Sequence, residues 1–397
     1  MTETTTTPAA VTAEERVPFR RWLAVAAVAV GTFAVVTAEQ LPVGLLTSMG
    51  SAMGVSEGMA GLMVTVPGLV ASATAPILPV AIGRMDRRIV LLGLISLMVV
   101  ANLLSVLAPN FAILLASRFL VGISIGGFWA LAAGIAVRMV PDRYVPRATA
   151  IAFGGATAAN VLGVPAGTLI GGLTDWRVAF AALAGLGLIV VAGLVTLLPA
   201  MPATEPVRLR ALPRQFRDPV IRSGVLATGL LVGGHMAAFT FVSPILQEVS
   251  GIDEGLIGPL LLAFGVAGIV GNVVAGTAAG RDVRRALIAI SVLLGTMLAL
   301  FPILGGNAVS GAAVLIVWGL AFGGAPMAVQ TWILKAAPKE QMEAATALNT
   351  SMFNLAIALG ALFGGLVVDQ VALQGVLWVG AALALLTTVA VWRTRQI

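Results

Sequence analysis

Apolar positions in this chain gather into runs too long for the core of a soluble domain. From residue 22 to residue 47 the sequence is apolar apart from a few Thr and Gly positions, Glu39 and Gln40, and a helix needs about 20 mostly apolar residues to cross a bilayer. Comparable runs fall at 59–82, 89–108, 111–137, 148–172, 178–199, 223–247, 255–279, 286–304, 311–334, 344–368 and 372–392. They predict an all-α membrane protein with twelve transmembrane helices. The first run is too long for the core of a signal peptide and ends without a small-residue cleavage site, so it is expected to stay in the protein.

The polar segments give the domain organisation. Residues 1–21 form a Thr-rich tail with nothing to bury. Residues 201–222 carry Pro202, Pro206, Pro213 and five arginines, and this linker separates a six-helix half at 22–200 from a second at 223–397, which ends in a short tail. A shift of 197 residues brings the halves into register without gaps. Gly83-Arg84 then falls on Gly280-Arg281, Gly126-Gly127 on Gly323-Gly324, Pro141 on Pro338, and Gly163 and Gly167 on Gly360 and Gly364. An offset of six helices preserves orientation, so the repeats are expected to be parallel, related by an axis along the membrane normal.

Composition strengthens the membrane assignment and narrows the chemistry. Of 397 residues 59% are hydrophobic and only 10% charged, against about 25% charged in soluble domains, and the mean hydropathy is +1.04. The absence of cysteine excludes disulfides, thiolate nucleophiles and cysteine-ligated metal. A net charge of +6 would suggest nucleic acid if it lay on one soluble surface, but the basic residues follow topology instead. Arginines and lysines occupy the tail (Arg16, Arg20, Arg21), the 2–3 loop (Arg84, Arg87, Arg88) and the 4–5 loop (Arg138, Arg143, Arg147). The linker adds Arg208, Arg210, Arg214, Arg217 and Arg222, the later loops Arg281, Arg284, Arg285, Lys335 and Lys339, and the end of the chain Arg393 and Arg395. All of these fall on one side, whereas the opposite loops hold only Arg177. Short loops rich in Lys and Arg remain in the cytoplasm, so both termini are expected there, and no nucleic-acid partner is expected.

Glu39 is the only acidic residue well inside a run and Arg118 the only basic one. An ionisable side chain within the membrane is by default a functional candidate. Both fall at similar depth in the outer half, which permits a pair, and a carboxyl whose titration depends on which side faces water is what proton coupling requires. His235, the single histidine, lies near the middle of helix seven and titrates in the physiological range. It is equally compatible with a satisfied core residue. Without cysteines or an acidic cluster it cannot build a zinc site, so no metal is expected. Gly155, Ala159, Gly163, Gly167 and Gly171 form a stripe that predicts close packing of helix five. Gln40, Trp129, Asn160, His235, Gln330, Trp332 and Asn354 are the polar and aromatic candidates for holding a polar solute.

Several segments resemble the major facilitator superfamily, in its drug:proton antiporter branch of bacterial exporters. Glu39-Gln-Leu-Pro-Val43 is similar to the first-helix signature of bacterial sugar and purine ribonucleoside efflux proteins, with Gln40 where an aromatic residue is usual. Gly126-Gly-Phe-Trp-Ala130, Arg138-Met-Val-Pro141, Val317-Trp-Gly-Leu320 and Thr331-Trp-Ile333 resemble the ribonucleoside exporters. His235 with Phe241 to Pro244 is closer to the sugar exporters. Gly83-Arg-Met-Asp-Arg-Arg88 occupies the place of the superfamily's 2–3 loop motif, which implies a gating role for Gly83, Asp86, Arg87 and Arg88. Gly163-Val-Pro-Ala-Gly167 resembles the fifth-helix antiporter motif, which implies one for Gly163, Pro165 and Gly167.

A transporter of the bacterial inner membrane is therefore expected, exporting small polar or amphipathic molecules in exchange for protons. Nucleosides, sugars and phenicol-like drugs all remain open as cargo. A proton-coupled importer and a transport-dead sensor are the alternatives. No GxxxxGK[ST] segment occurs, so ATP is not expected to drive it, and no nucleophile with a base at matching depth suggests an enzyme. The expected partners are the solute, protons and the bilayer, with no cofactor and a monomeric state.

Overall fold

The computed structural model describes residues 17–202, 218–338 and 342–394. Most of the linker, the first part of the tail, Lys339 and Arg395 lie outside the described residues. Every regular element among those described is helical. In chain order the spans are 1 (Phe19–Gly44), 2 (Glu57–Ala81), 3 (Arg87–Leu107), 4 (Phe111–Ala132), 5 (Val145–Leu173), 6 (Trp176–Leu197) and 7 (Pro219–Phe239). One long helix, Glu254–Leu304, comes next. After it the chain crosses at Ala308–Ala336, Ala345–Gln370 and Gly375–Trp392.

The long helix has 51 residues and would run about 76 Å if straight, more than twice the thickness of a bilayer's apolar core. Asp282 breaks it with φ −151° and ψ 98°, beside the arginines of the 8–9 loop, and so divides it into spans 8 and 9. The last three crossings are then spans 10, 11 and 12. The count is twelve, as the apolar runs predict.

The packing follows the 197-residue repeat. Gly54 and Gly251 both take the left-handed conformation at φ 64°, each shortly before the helix of the next span. A Cβ on Gly122 or Gly126 would meet Pro67 or Ala71 of span 2, and one on Gly319 or Gly323 would meet Phe264 or Gly268 of span 8. Each contact is the other shifted by 197. Spans 4 and 2 thus approach as closely as spans 10 and 8, through small residues that let backbones touch. The halves meet in the same symmetric way, with Gly68 of span 2 against Ala358 of span 11 and Gly265 of span 8 against Val161 of span 5. The stripe on span 5 packs on span 1, where Gly163, Gly167 and Gly171 lie against Thr37, Leu41 and Leu45.

Span 5 is α-helical up to Ala158 and from Val164, with a π-helical turn at Ala159–Gly163 between them. Pro165 accounts for the disturbance, because it has no N–H to give the Val161 carbonyl, and π-turns of this kind are frequent at functional sites. Gly163 and Pro165 therefore sit at an irregular point in a helix that lies between the halves.

Candidate functional site

Span 1 carries Pro42 inside its helix. A proline there cannot donate to the carbonyl four residues back, so Ala38 is left with a carbonyl that the helix does not satisfy. Arg118 Nη1 donates to it from span 4 at 3.0 Å. Arg118 Nη2 donates to Ser105 Oγ of span 3 at 3.0 Å, Ser105 Oγ lies 2.7 Å from Ser117 Oγ, and the guanidinium stands 4.9 Å from the centre of the Phe180 ring of span 6. The arginine, fully buried, ties four spans together.

Glu39 is the residue after the clamped carbonyl and is itself 5% exposed. The structure does not join it to Arg118 in an ion pair: the salt bridges among the described residues are Arg177 with Asp175 and Arg285 with Asp282. The pair that similar depth permits is thus a contact through the neighbouring peptide: Arg118 Nη1 donates to the Ala38 carbonyl, while Arg118 Nε stays buried without a hydrogen-bond partner among the described residues. Thr37 Oγ1, Glu39 Oε1 and Gln40 Oε1 are all buried without a hydrogen-bond partner, so three polar side chains within one turn of span 1 leave acceptors open.

The second centre is in the C-terminal half. Trp318 Nε1 donates to His235 Nδ1 at 3.0 Å, which places the histidine's proton on Nε2 when the ring is neutral. His235 stacks with Phe322, ring centres 3.3 Å apart, and with Phe239 at 4.8 Å, while Phe239 stacks in turn on Phe264 at 4.8 Å. Trp318 stands edge-on to this column. The rings around the histidine come from spans 7, 8 and 10, too far apart in sequence for a local pattern to reveal them together.

The remaining candidates divide into two groups. Gln40 and Trp129 are half-buried, the latter 5.5 Å from Phe153. Gln330, also half-buried, accepts from Asn349 Nδ2 at 3.2 Å and reaches Thr346 Oγ1, and Asn349 Oδ1 accepts from Thr228 Oγ1 at 2.7 Å. Asn349 and Thr228 complete a polar chain across spans 7, 10 and 11 that sequence reasoning misses; the only signal is the place of Asn349 beside the polar positions Thr346 and Thr350. Trp332, by contrast, is fully buried against Gly224 and donates to the Val220 carbonyl. Asn160 and Asn354 donate to carbonyls of their own helices, Ala156 and Thr350. Trp332 is thus spent on packing and backbone, whereas exposed Asn160 and buried Asn354 each commit one amide N–H to their own helix.

The loop residues expected to gate bind the end of span 6 and the first residue of the linker. Gly83 is left-handed, φ 46°, and lets the chain turn into Asp86, whose Oδ1 caps span 3 by accepting from Arg88 N at 2.8 Å and holds Met201 N at 2.9 Å. Arg87 N donates to the Met201 carbonyl at 3.0 Å. Arg88 donates to the Val195 carbonyl at the end of span 6, a cation at a helix C-terminus. Arg284 does the same for Trp392, at the end of span 12. At the opposite end a contact does cross between the halves. Asp369 of span 11 accepts from Ser56 Oγ at 2.7 Å and from Gly58 N at 3.0 Å, where Gly58 lies against the Gly365 carbonyl with no room for a side chain.

Two six-helix repeats packed about a shared interface, with buried charges in one half, define a membrane transporter of the alternating-access type. The chain belongs to the Major Facilitator Superfamily, whose family model matches residues 28–360. It is 35% identical over 369 residues to the transcription regulatory protein OpdE of Pseudomonas aeruginosa, covering 92% of each chain. It is 33% identical over 370 residues to the purine ribonucleoside efflux pump NepI of Salmonella paratyphi C, covering 93% of each. Among solved structures it resembles a bacterial homologue of the human lysosomal transporter Spinster in an inward-facing, occupied conformation, with a TM-score of 0.76 and 14% identity over 94% of this chain and 96% of that one. The human organic anion transporter MFSD10 is similar at a TM-score of 0.69 and 18% identity, over 95% and 100%.

Proposed function

We propose that this transporter exports a planar polar solute of the purine ribonucleoside type in exchange for protons. Support for the cargo comes from the efflux-pump relative and from the half-buried ring and amide groups of spans 4, 7, 8 and 10. The observation that carries proton coupling is Glu39, a buried carboxyl with one oxygen unpartnered next to a peptide held by the buried Arg118. Glu39 takes up and releases the proton, and Arg118 fixes span 1 around it. Gln40, Trp129, His235 and Gln330 contribute to holding the solute. The Arg-rich end faces the cytoplasm, with both termini on that side, and the proton gradient supplies the energy without a cofactor.

The direct test is accumulation of labelled purine ribonucleosides, sugars and phenicols in everted vesicles under an imposed pH gradient. Uptake of the nucleosides alone supports the assignment, and uptake of another class alone overturns the cargo. The regulatory name carried by the relative in Pseudomonas aeruginosa favours a second reading, a membrane sensor without transport. Failure to move any solute in the same vesicles would support it.

A further inference from the structure

We propose that a groove on the lateral face of the C-terminal half, formed by spans 7, 11 and 12, binds an anionic glycerophospholipid. The groove encloses about 920 Å³ at the Arg-rich end, a volume at the upper end of the roughly 300–1,000 Å³ typical of small-molecule sites. Arg222 in the first turn of span 7 and Arg393 at the end of span 12 stand at its mouth. Neither guanidinium has an ion-pair partner among the described residues. The nearest acid in sequence to Arg222, Asp218, has its carboxylate engaged in capping span 7, accepting from Val220 N and Ile221 N.

Polar and apolar groups are arranged as a lipid requires. Ser223 and Thr394 hydroxyls meet at 2.6 Å beside the arginines, and Leu226, Leu230, Leu386 and Val389 line the walls beyond them. Leu230 lies eight residues past Arg222, so the apolar wall extends about 12 Å along span 7, into the depth of acyl chains. Leu226 and Leu386 are 51% and 50% exposed, which a bilayer accommodates and water does not. Basic pockets between helices recognise anionic headgroups in this way. A soluble anion would gain from the arginines but leave the apolar walls unmatched, and a neutral lipid would do the reverse.

The test is native mass spectrometry of the full-length protein in detergent, titrated with phosphatidylglycerol or phosphatidylcholine of the same acyl chains. Phosphatidylglycerol is expected to be retained at concentrations about 25-fold lower, since each of the two arginines near a headgroup contributes roughly a factor of five. Arg222→Gln with Arg393→Gln should abolish that preference, and Leu226→Trp, which keeps both guanidiniums but fills the apolar wall, should weaken retention of both lipids. Because Leu226 is exposed, this second variant tests the groove even if the double substitution fails to fold. Equal retention of the two lipids by the unaltered protein, or full retention by Leu226→Trp, would overturn the proposal.

Discussion

Arg118 donates to the carbonyl of Ala38 at 3.0 Å, and it does so because Pro42 removes the helical donor that carbonyl would otherwise have. The repeat makes the relationship more telling. Shifted by 197 residues, Ala38 becomes His235, and there too a donor from the fourth helix of the half, Trp318, reaches the same position of the first helix. Both halves pin this point of the inner helix; only the N-terminal half does so with a charge.

Replacing Pro42 by Ala should restore an N–H within reach of the Ala38 carbonyl and so compete with Arg118. The variant is expected to fold, since alanine removes a residue that costs about 3 kcal/mol in a helix interior. Its ratio of protons to solute should fall, measured as pH change against labelled solute in vesicles. Arg118→Ala should lower stability instead, because it leaves the Ala38 carbonyl buried and unpaired at about 1–3 kcal/mol, read as a drop in the melting temperature in detergent.

Trp318→Phe should keep one edge-on ring, remove the donor to His235 and leave a small cavity where the second ring of the buried indole packed. The lost hydrogen bond and the cavity together cost about 2 kcal/mol, so the protein should remain folded. Solute affinity should fall while the proton-driven step is retained, visible as a higher KM with little change in maximal rate. An unchanged KM would separate the aromatic column from solute binding.

Asp369→Asn should loosen the end of the molecule away from the arginines. Hydrogen bonds to a charged group contribute about 1.5–3 kcal/mol, so the balance between closed and open at that end should shift by about tenfold or more. The chain has no cysteine, which allows spin labels at Met59→Cys and Val371→Cys, exposed positions on opposite halves. Distances between them should lengthen in the Asp369→Asn background, and unchanged distances would show that the contact does not hold the halves.

The spans are legible in the sequence because a bilayer imposes length and hydropathy directly on it, and the repeat because close helix contacts demand small residues at fixed offsets, as at Gly126 and Gly323. Glu39 and Arg118 stand out as isolated charges for the same reason. Their mode of contact does not, since it depends on a carbonyl freed by Pro42 and on where spans 1 and 4 cross. Trp332 suggests a solute contact by residue type alone, and type does not reveal that its ring is buried against Gly224. The 2–3 loop motif is similarly recognised by type, while its bonds to Met201 and Val195 come from tertiary contact.

Proton coupling through Glu39 is tested most directly by Glu39→Gln, reconstituted into vesicles and assayed both for solute counterflow and for accumulation driven by an imposed pH gradient. The amide keeps the shape of the carboxyl but cannot release and reload a proton. Counterflow should persist while pH-driven accumulation falls to the level of vesicles without a gradient. Full pH-driven accumulation by the variant would contradict the assignment and move the coupling site elsewhere, with His235 the next residue to examine.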